Sequence, residues 1–251
     1  MPDNKKKSRI SLRKIGKNFK IGNKTNDGAL LRIVSFFSGK EEKKEFRVLD
    51  DITFDVRAGE VVGIVGRNGS GKSTLLRLIA GIYQPDSGEV ETEGKLVYLS
   101  GFGQGLRPKL TMTENIYLIA SIMGLSRKEV AKRFSNIVEF SGLAEYVDTK
   151  VYQFSTGMLT RLNFSIGINC LEYHKPEILL IDEVLEAGGD IDFKKKAGKK
   201  IEEFIRGGAA VILVSHNLED ISRYCDRALL LEKGKITMRG DVEAVIKKYS
   251  E

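Results

Sequence analysis

The stretch GRNGSGKST at residues 66–74 decides the fold of this chain. It follows the apolar run VVGIV at residues 61–65, which has the composition of a buried strand. It leads into KSTLLRLIA at residues 72–80, where helix-forming residues continue up to a stop at Gly81. A strand, the pattern G-x-x-x-x-G-K-[ST] and a helix, in that order, are the setting of a phosphate-binding P-loop.

The residues of this loop are those that nucleotide phosphates require. Glycines let backbone N–H groups close around the phosphates, and the start of a helix favours negative charge. Lys72 is placed to neutralise the β and γ phosphates, and the hydroxyl of Ser73 is placed to reach Mg²⁺. The predicted phosphate-binding residues are Gly66, Arg67, Asn68, Gly69, Ser70, Gly71, Lys72, Ser73 and Thr74.

Composition excludes several classes of protein. With 41% hydrophobic and 30% charged residues, the 251-residue chain can bury a sizeable core, which excludes a disordered protein. No apolar stretch approaches the roughly 18 residues that span a bilayer, and the basic N-terminus lacks the apolar core of a secretory signal. Cys170 and Cys225 lack the spacing of a metal site, so we expect reduced thiols in a cytoplasmic protein.

The chain carries a net charge of +7, with lysine clusters at residues 5–7 and 194–196. Such runs are most often solvated faces. Contact with an anionic lipid surface and contact with nucleic acid are the alternatives, in that order.

Periodicity predicts an α/β architecture. Residues 46–65 alternate and then become continuously apolar, as two strands around a turn at residues 58–59 would. Apolar runs at residues 178–181 and 211–214 are buried-strand candidates, and the helix-like residues 192–206 separate them. This order predicts βαβ units and a parallel sheet.

The middle third of the chain reads as a helical insertion. Residues 111–114 (TMTE) and 126–129 (SRKE) have the form of capping boxes, which open helices. The apolar-periodic runs that follow end near Gly124 and Gly142.

Polar residues after the two buried strands predict a hydrolytic site. The run EILLIDE at residues 177–183 ends in Asp182, which can hold the Mg²⁺ shell, and Glu183, which can orient and deprotonate an attacking water. His216 follows the other strand, and the carboxyl end of such a strand faces the crevice where these sheets bind ligands. Glu183 and His216 are therefore the candidate catalytic residues.

A family resemblance is carried by QFSTGMLTRLNFSIGI at residues 153–168. Its segment STGM opens a helix about 25 residues before the two carboxylates and resembles the signature motif of ABC transporter ATPases, usually LSGGQ. The P-loop, this signature, the paired carboxylates and His216 follow in that family's order and cover nearly the whole chain.

The resemblance implies an α/β P-loop NTPase fold with a RecA-like parallel-sheet core, an antiparallel β subdomain and a helical subdomain at about residues 105–170. It implies one nucleotide-binding domain over residues 1–251. The chain stops 35 residues after His216, so we expect no C-terminal carbohydrate-binding domain of the kind that some relatives add.

The resemblance also implies how the site is assembled. In this family the signature of one subunit closes on the γ-phosphate of ATP that the P-loop of another subunit holds, and a helix N-terminus is a suitable anion site. It therefore implies ATP and Mg²⁺ as cofactors and a homodimer with two equivalent sites. The residues expected to act in trans are Ser155, Thr156, Gly157 and Met158.

Further details resemble one subfamily, the ATPase subunits that export O-antigen, capsule or teichoic-acid polysaccharides. These are the form FSTGM followed by RLNFS at residues 161–165, DEVL at residues 182–185, and the segment at residues 94–118 with its glycine-rich turn and LT-x-x-EN helix start. The resemblance implies ATP-driven export of a lipid-linked polysaccharide. It also implies a polytopic membrane permease in two copies as partner and a peripheral position on the cytoplasmic side of the inner (plasma) membrane.

Some positions depart from the family's pattern. Gln104 is the one candidate for the glutamine that senses Mg²⁺, although Phe102 occupies its nominal place. The resemblance implies an aspartate shortly after Glu183, and we expect Asp190 to be its equivalent, in a loop one residue longer than the family's.

Two aromatic features remain open in the sequence. Phe46 fits the position of the adenine-stacking aromatic, with Phe36 and Phe37 as alternatives. Residues 29–37 (ALLRIVSFF) are either core or a surface that meets permease or lipid.

Of the other functions considered, one is excluded by the sequence and two are kept as alternatives. A P-loop GTPase requires N-K-x-D after the switch region, and the near match NKTN at residues 23–26 lies before the P-loop and lacks the aspartate. An ABC ATPase for another transported substrate is the first alternative. A non-transport ABC protein acting on nucleic acid is disfavoured by the single cassette and the lack of extended heptads, so we expect no nucleic-acid partner.

Overall fold

The computed structural model describes residues 7–21, 44–100, 105–182 and 191–251. In this part of the chain the strands are β1 (Ser8–Ile21), β2 (Lys44–Arg57), β3 (Val61–Val65), β4 (Ser87–Thr92), β5 (Leu96–Ser100), β6 (Ile178–Asp182), β7 (Ala210–Val214), β8 (Arg227–Glu232) and β9 (Lys235–Gly240). The helices are α1 (Lys72–Ile79), α2 (Met112–Ile122), α3 (Arg127–Ser141), α4 (Thr156–His174), α5 (Ile191–Arg206), α6 (Leu218–Tyr224) and α7 (Val242–Ser250), with 3₁₀ turns at Ala144–Tyr146 and Val151–Gln153.

The predicted parallel core is confirmed. Six strands form one sheet in the order β5-β6-β7-β3-β8-β9, in which β9 pairs antiparallel with β8 and the other pairings are parallel. The apolar runs predicted at residues 61–65, 178–181 and 211–214 are the central strands β3, β6 and β7, and the helix predicted at residues 192–206 is α5.

Both faces of this sheet are covered, which explains why its central strands are apolar throughout. Val62 and Ile64 of β3 point to the face packed against α1 and a second sheet. Val61 and Val65 point to the opposite face, where α4, α5 and α7 pack. This second sheet is the predicted antiparallel β layer, with the order β2-β1-β4.

The helical middle third is also confirmed, with both capping boxes formed. Glu114 N donates to the hydroxyl oxygen of Thr111 at 3.1 Å, and Thr111 N donates to the Glu114 carboxylate at 2.8 Å. Ser126 and Glu129 make the equivalent pair at the start of α3. Because these side chains satisfy N–H groups that a helix start leaves unpaired, the sequence located both starts to the residue.

Helix α4 joins the helical region to the sheet. Leu162 and Ile166 pack with α2 and α3, whereas Phe164 and Ile168 pack with the core that covers the sheet. No helix of the described residues is both long enough and apolar enough to cross a membrane.

The two cysteines are free thiols, as predicted. Burial raises the pKa of Cys170 and of Cys225 to about 12, so both thiols are protonated and unreactive near neutral pH.

Candidate functional site

The P-loop joins the buried strand β3 to α1 through a backbone path that requires glycine. Gly69 and Gly71 have φ angles of 79° and 109°, in the left-handed region. A Cβ on Gly66 would lie 2.2 Å from the carbonyl oxygen of Leu231 in β8. The loop therefore wraps tightly at the end of the sheet and presents its backbone rather than side chains.

The side chain of Lys72 points back into this loop. Its ammonium nitrogen donates to the carbonyl oxygens of Gly66 at 2.6 Å and Arg67 at 3.2 Å, and the residue is only 6% exposed. The hydroxyl oxygen of Ser70 is buried in the same loop and has no hydrogen-bond partner among the described residues. A cation and the N–H groups of a helix start thus converge at one point, which suits a phosphate.

Strand register brings three of the predicted sites to one edge of the sheet. Asp182 of β6 is paired with Val214 of β7, and Val214 is paired with Ile64 of β3. Adjacent strands lie about 4.8 Å apart, so the backbone of Asp182 lies about 10 Å from that of Ile64, two residues before the P-loop. His216 follows β7, the strand between them, and is exposed at this edge.

The turn that carries His216 is held by its neighbours. The hydroxyl oxygen of Ser215, which is buried, accepts a hydrogen bond from Asn217 N at 3.0 Å. The side chain of Asn217 in turn caps α6 through Glu219 N. These bonds fix His216, the residue between Ser215 and Asn217, at the end of the strand.

The two oxygens of the Asp182 carboxylate have different surroundings. The residue is 7% exposed, and Oδ2 accepts a hydrogen bond from the hydroxyl of Tyr98 at 2.9 Å. Oδ1 is buried and has no partner among the described residues. Burial, and then the Asp182 charge, raise the pKa of Tyr98 to about 12, so this phenol is a donor at neutral pH.

A divalent cation fits these donors. Carboxylate and hydroxyl oxygens are the ligands that Mg²⁺ prefers, and a buried carboxylate oxygen without a partner is rare in proteins. Oδ1 of Asp182 is such a buried oxygen without a partner among the described residues, so it is available as a ligand. Ser73 lies in the first turn of α1 at the same edge.

The predicted signature residues begin α4 and belong to the helical region rather than to the strand ends. Ser155 is the N-cap, and its hydroxyl oxygen accepts from Met158 N at 3.3 Å. Ser155 and Thr156 are exposed, and a Cβ on Gly157 would meet only the Ser155 hydroxyl oxygen, 4.0 Å away. The positive end of a 19-residue helix is therefore open to an anionic group from outside.

Phe46, the adenine-stacking candidate, lies on β2 with 57% of its surface exposed. It is paired with Phe19 of β1 in the antiparallel register. An exposed aromatic ring on a rigid strand is available for stacking, and its side chain is not part of the core.

Two residues of the site region were missed from the sequence. Tyr98 bonds Asp182, as described above. Asn115 is fully buried in α2: its Oδ1 accepts from Arg107 N at 2.6 Å, and its Nδ2 donates to the carbonyl oxygens of Arg107, Leu110 and Thr111. This side chain holds the segment that follows Gln104, and the signal for it was a polar residue on the apolar face of a predicted helix.

Several predictions lie outside the described residues and stay predictions. These are the roles of Glu183, Gln104 and Asp190, the alternatives Phe36 and Phe37, and the two interpretations of residues 29–37.

Comparisons with known proteins agree with this geometry. A family model described as "ABC transporter" matches residues 49–186. The O-antigen export system ATP-binding protein RfbB of Klebsiella pneumoniae is 43% identical over 208 residues, which cover 83% of this chain and 82% of that protein. The teichoic acids export ATP-binding protein TagH of Staphylococcus haemolyticus is 37% identical over 220 residues, which cover 88% of this chain and 81% of that protein.

The fold is found among solved structures. A dimeric ATP-binding cassette in a post-hydrolysis state, bound to ADP and Pi, superposes with a TM-score of 0.69 at 22% identity, covering 93% of this chain and 98% of that one. This likeness confirms the predicted P-loop fold with its parallel core, antiparallel layer and helical region.

Proposed function

Because the chain belongs to the ABC transporter family and is an ATP-binding, ATP-hydrolysing member of it, we propose that it powers the export of a lipid-linked polysaccharide. The observation that carries this proposal is the 43% identity to a protein named for O-antigen export, over 82% of that protein's length. The 37% identity to a protein named for teichoic acid export supports the same class of cargo. O-antigen, capsule and teichoic acid are all lipid-linked polysaccharides.

In this proposal the sheet edge is the ATP site. The backbone of residues 66–71 surrounds the phosphates, and Lys72 neutralises the β and γ phosphates. Ser73 and Asp182, with Gln104, hold Mg²⁺, which supplies charge neutralisation for the transferred phosphoryl group. Phe46 stacks on the adenine.

Hydrolysis requires residues that act on water and on the transferred group. Glu183, the residue after Asp182, orients and deprotonates the attacking water. His216 at the end of β7 contacts the γ-phosphate side of the crevice. The register that aligns Asp182 with Val214 supports this arrangement, because it brings both strand ends to the P-loop.

We further propose a homodimer in which the start of α4 from one copy closes on ATP held by the other. Support comes from the exposed N-terminus at Ser155 and Thr156 and from the presence of a complete P-loop in the same chain. Two identical chains then form two equivalent sites related by a twofold axis.

The remaining partner is a polytopic permease in two copies, which places the chain on the cytoplasmic face of the membrane. The helical region around α2 and α3, one part of a single nucleotide-binding domain, is where this permease docks. We expect no nucleic-acid partner.

The test asks whether ATP hydrolysis by this chain drives transport of the glycan. The chain is co-expressed with a candidate polytopic permease, and inverted membrane vesicles are assayed for ATP-dependent uptake of the lipid-linked glycan. Glu183→Gln should retain ATP binding and lose about 10²-fold in turnover, because the base is removed and the phosphate cradle remains. ATP-dependent uptake of the glycan should be lost in the same variant.

Two results would count against parts of the proposal. ATP-dependent uptake of another lipid but not of the glycan contradicts the cargo. Near-wild-type hydrolysis by Glu183→Gln contradicts the assignment of the base.

A further inference from the structure

We propose that Tyr98 is a positioning residue for the metal-nucleotide site, because its hydroxyl holds one oxygen of Asp182 and thereby aims the other at the cation. This inference rests on the proposed function, since it assumes that Asp182 serves Mg²⁺. It assigns a role to a residue of β5, whereas the P-loop follows β3, Asp182 ends β6 and Glu183 is the next residue of the chain.

The sheet places Tyr98 and Asp182 within reach of each other. Tyr98 is paired with Leu180, and Ser100 with Asp182, in the parallel register of β5 and β6. Tyr98 and Asp182 are therefore diagonal neighbours on one face, a spacing that only long side chains bridge. The phenol bridges it, with 2.9 Å between its oxygen and Oδ2.

A cation on the P-loop helix acts electrostatically on Tyr98. The guanidinium of Arg77 acts through its charge on the Tyr98 hydroxyl and lowers the pKa of Tyr98, against the larger effects of burial and of Asp182. It also donates to the Tyr83 hydroxyl at 3.4 Å and lies over the ring of Tyr83, 5.8 Å from its centroid. Arg77 belongs to α1, the helix that starts at Lys72, so the Tyr98 hydroxyl is subject to a charge on that helix as well as to the charge of Asp182.

The direction of the bond from Tyr98 determines what it does. The Tyr98 hydroxyl donates to Oδ2 of Asp182, so that oxygen is held by the bond. A carboxylate bonded at one oxygen no longer rotates freely about χ2. The remaining oxygen, Oδ1, is buried without a partner among the described residues and so keeps one fixed direction.

The experiment measures metal binding without turnover. Mn²⁺ is titrated into the full chain saturated with a non-hydrolysable ATP analogue, and free Mn²⁺ is followed by electron paramagnetic resonance. Tyr98→Phe keeps the ring and removes only the hydroxyl, so we expect Mn²⁺ binding to weaken by about 3- to 10-fold, the loss expected for one hydrogen bond. Affinity for the analogue in EDTA should stay within twofold of wild type.

Tyr83→Phe is the matched control, because Tyr83 also contacts Arg77 but lies outside the hydrogen bond to Asp182. It should leave Mn²⁺ binding within twofold of wild type. Equal Mn²⁺ affinity in wild type and Tyr98→Phe overturns the proposal. Tyr98→Phe that weakens analogue binding in EDTA as much as Mn²⁺ binding also overturns it, since the hydroxyl then supports the fold.

Asp182→Asn separates this inference from the proposed function. If Asp182→Asn weakens Mn²⁺ binding and Tyr98→Phe does not, only the role of Tyr98 fails. If Asp182→Asn leaves Mn²⁺ binding unchanged, Asp182 does not serve the metal, and the role of Tyr98 fails with that assignment.

Discussion

The ammonium nitrogen of Lys72 lies 2.6 Å from the carbonyl oxygen of Gly66, the first residue of the same loop. A second bond reaches the carbonyl oxygen of Arg67 at 3.2 Å. The side chain therefore spans the loop from its end to its beginning and holds a positive charge at its centre. A buried ammonium is costly unless such acceptors surround it, so the backbone itself keeps the charge in place.

Lys72→Ala should lower ATP affinity by about 10²-fold and abolish transport, because the phosphates lose a fixed cation and its charge-assisted hydrogen bonds. Equilibrium binding of a fluorescent ATP analogue measures the loss. Lys72→Arg is the control for charge alone. The wider, planar guanidinium does not fit the position of the ammonium, so we expect this variant to recover little of the ATP affinity. Unchanged affinity in Lys72→Ala would count strongly against the P-loop assignment.

Two glycines of the loop should respond differently to a methyl group. Gly66→Ala places its Cβ against the backbone of Leu231, so the loop must shift, and we expect a loss of about 2 to 3 kcal/mol in the free energy of unfolding. Gly69→Ala meets nothing within 4 Å and suffers only its positive φ, which costs about 1 kcal/mol. Urea unfolding without nucleotide compares them, and equal losses would show that packing at Gly66 is not the constraint.

Local chemistry explains what the sequence predicted correctly. The starts of α2 and α3 follow from capping residues that act within one turn, and the P-loop is defined by residues that are contiguous in the chain. The buried strands β6 and β7 follow from composition, because both of their faces are covered. Each of these signals lies within a few residues of the structure that it predicts.

What the sequence missed depends on pairing between distant segments. The bond from Tyr98 to Asp182 requires the register of β5 against β6, which nothing in either segment states. Strand β1, which lies in a basic stretch of the chain, was also missed from the sequence. Its residues Ile10, Leu12 and Ile15 are fully buried, but Arg13 and Lys14 stand between the last two, where a register shift breaks the alternation.

The Glu129 carboxylate predicts a pH effect at the start of α3. Its hydrogen bond from the hydroxyl of Tyr173, followed by those from the side chain and backbone of Ser126, lowers the pKa of Glu129 from 4.5 to about 2. A lowered pKa in the folded state means that the stabilisation is present above the unfolded value of 4.5. It is lost as the pH falls from there towards 2.

Glu129→Gln should therefore lower Tm at neutral pH, and the difference from wild type should shrink as the pH falls below about 4.5. Glutamine keeps the form of the capping box, so the charge is the main change. Glu114→Gln, at the same position of the other capping box, is the matched control in the same thermal scans. A Tm difference that stays constant from pH 7 to pH 3 would contradict the assignment of the effect to this carboxylate.

The composite site makes the sharpest prediction, since it separates a homodimeric motor from a monomeric hydrolase. In the Glu183→Gln background, which slows turnover, ATP should convert the chain to a dimer that light scattering detects. Adding Ser155→Arg should prevent this, because a bulky cation replaces the small hydroxyl at the exposed start of α4. ATP should still bind through Lys72.

Loss of the cap at Ser155 must be separated from loss of the site. Ser155→Asp keeps an N-cap acceptor for Met158 N, so stability should be close to wild type, but it adds a negative charge where a phosphate would approach. We expect it to block ATP-dependent dimerisation as Ser155→Arg does.

A mixing experiment tests the composite site in chains that keep Glu183. Mixing Ser155→Arg chains with Lys72→Ala chains should restore one intact site per mixed dimer and some ATPase activity. If Glu183→Gln dimerises equally well with and without Ser155→Arg, the segment STGM is a helix start and not a signature.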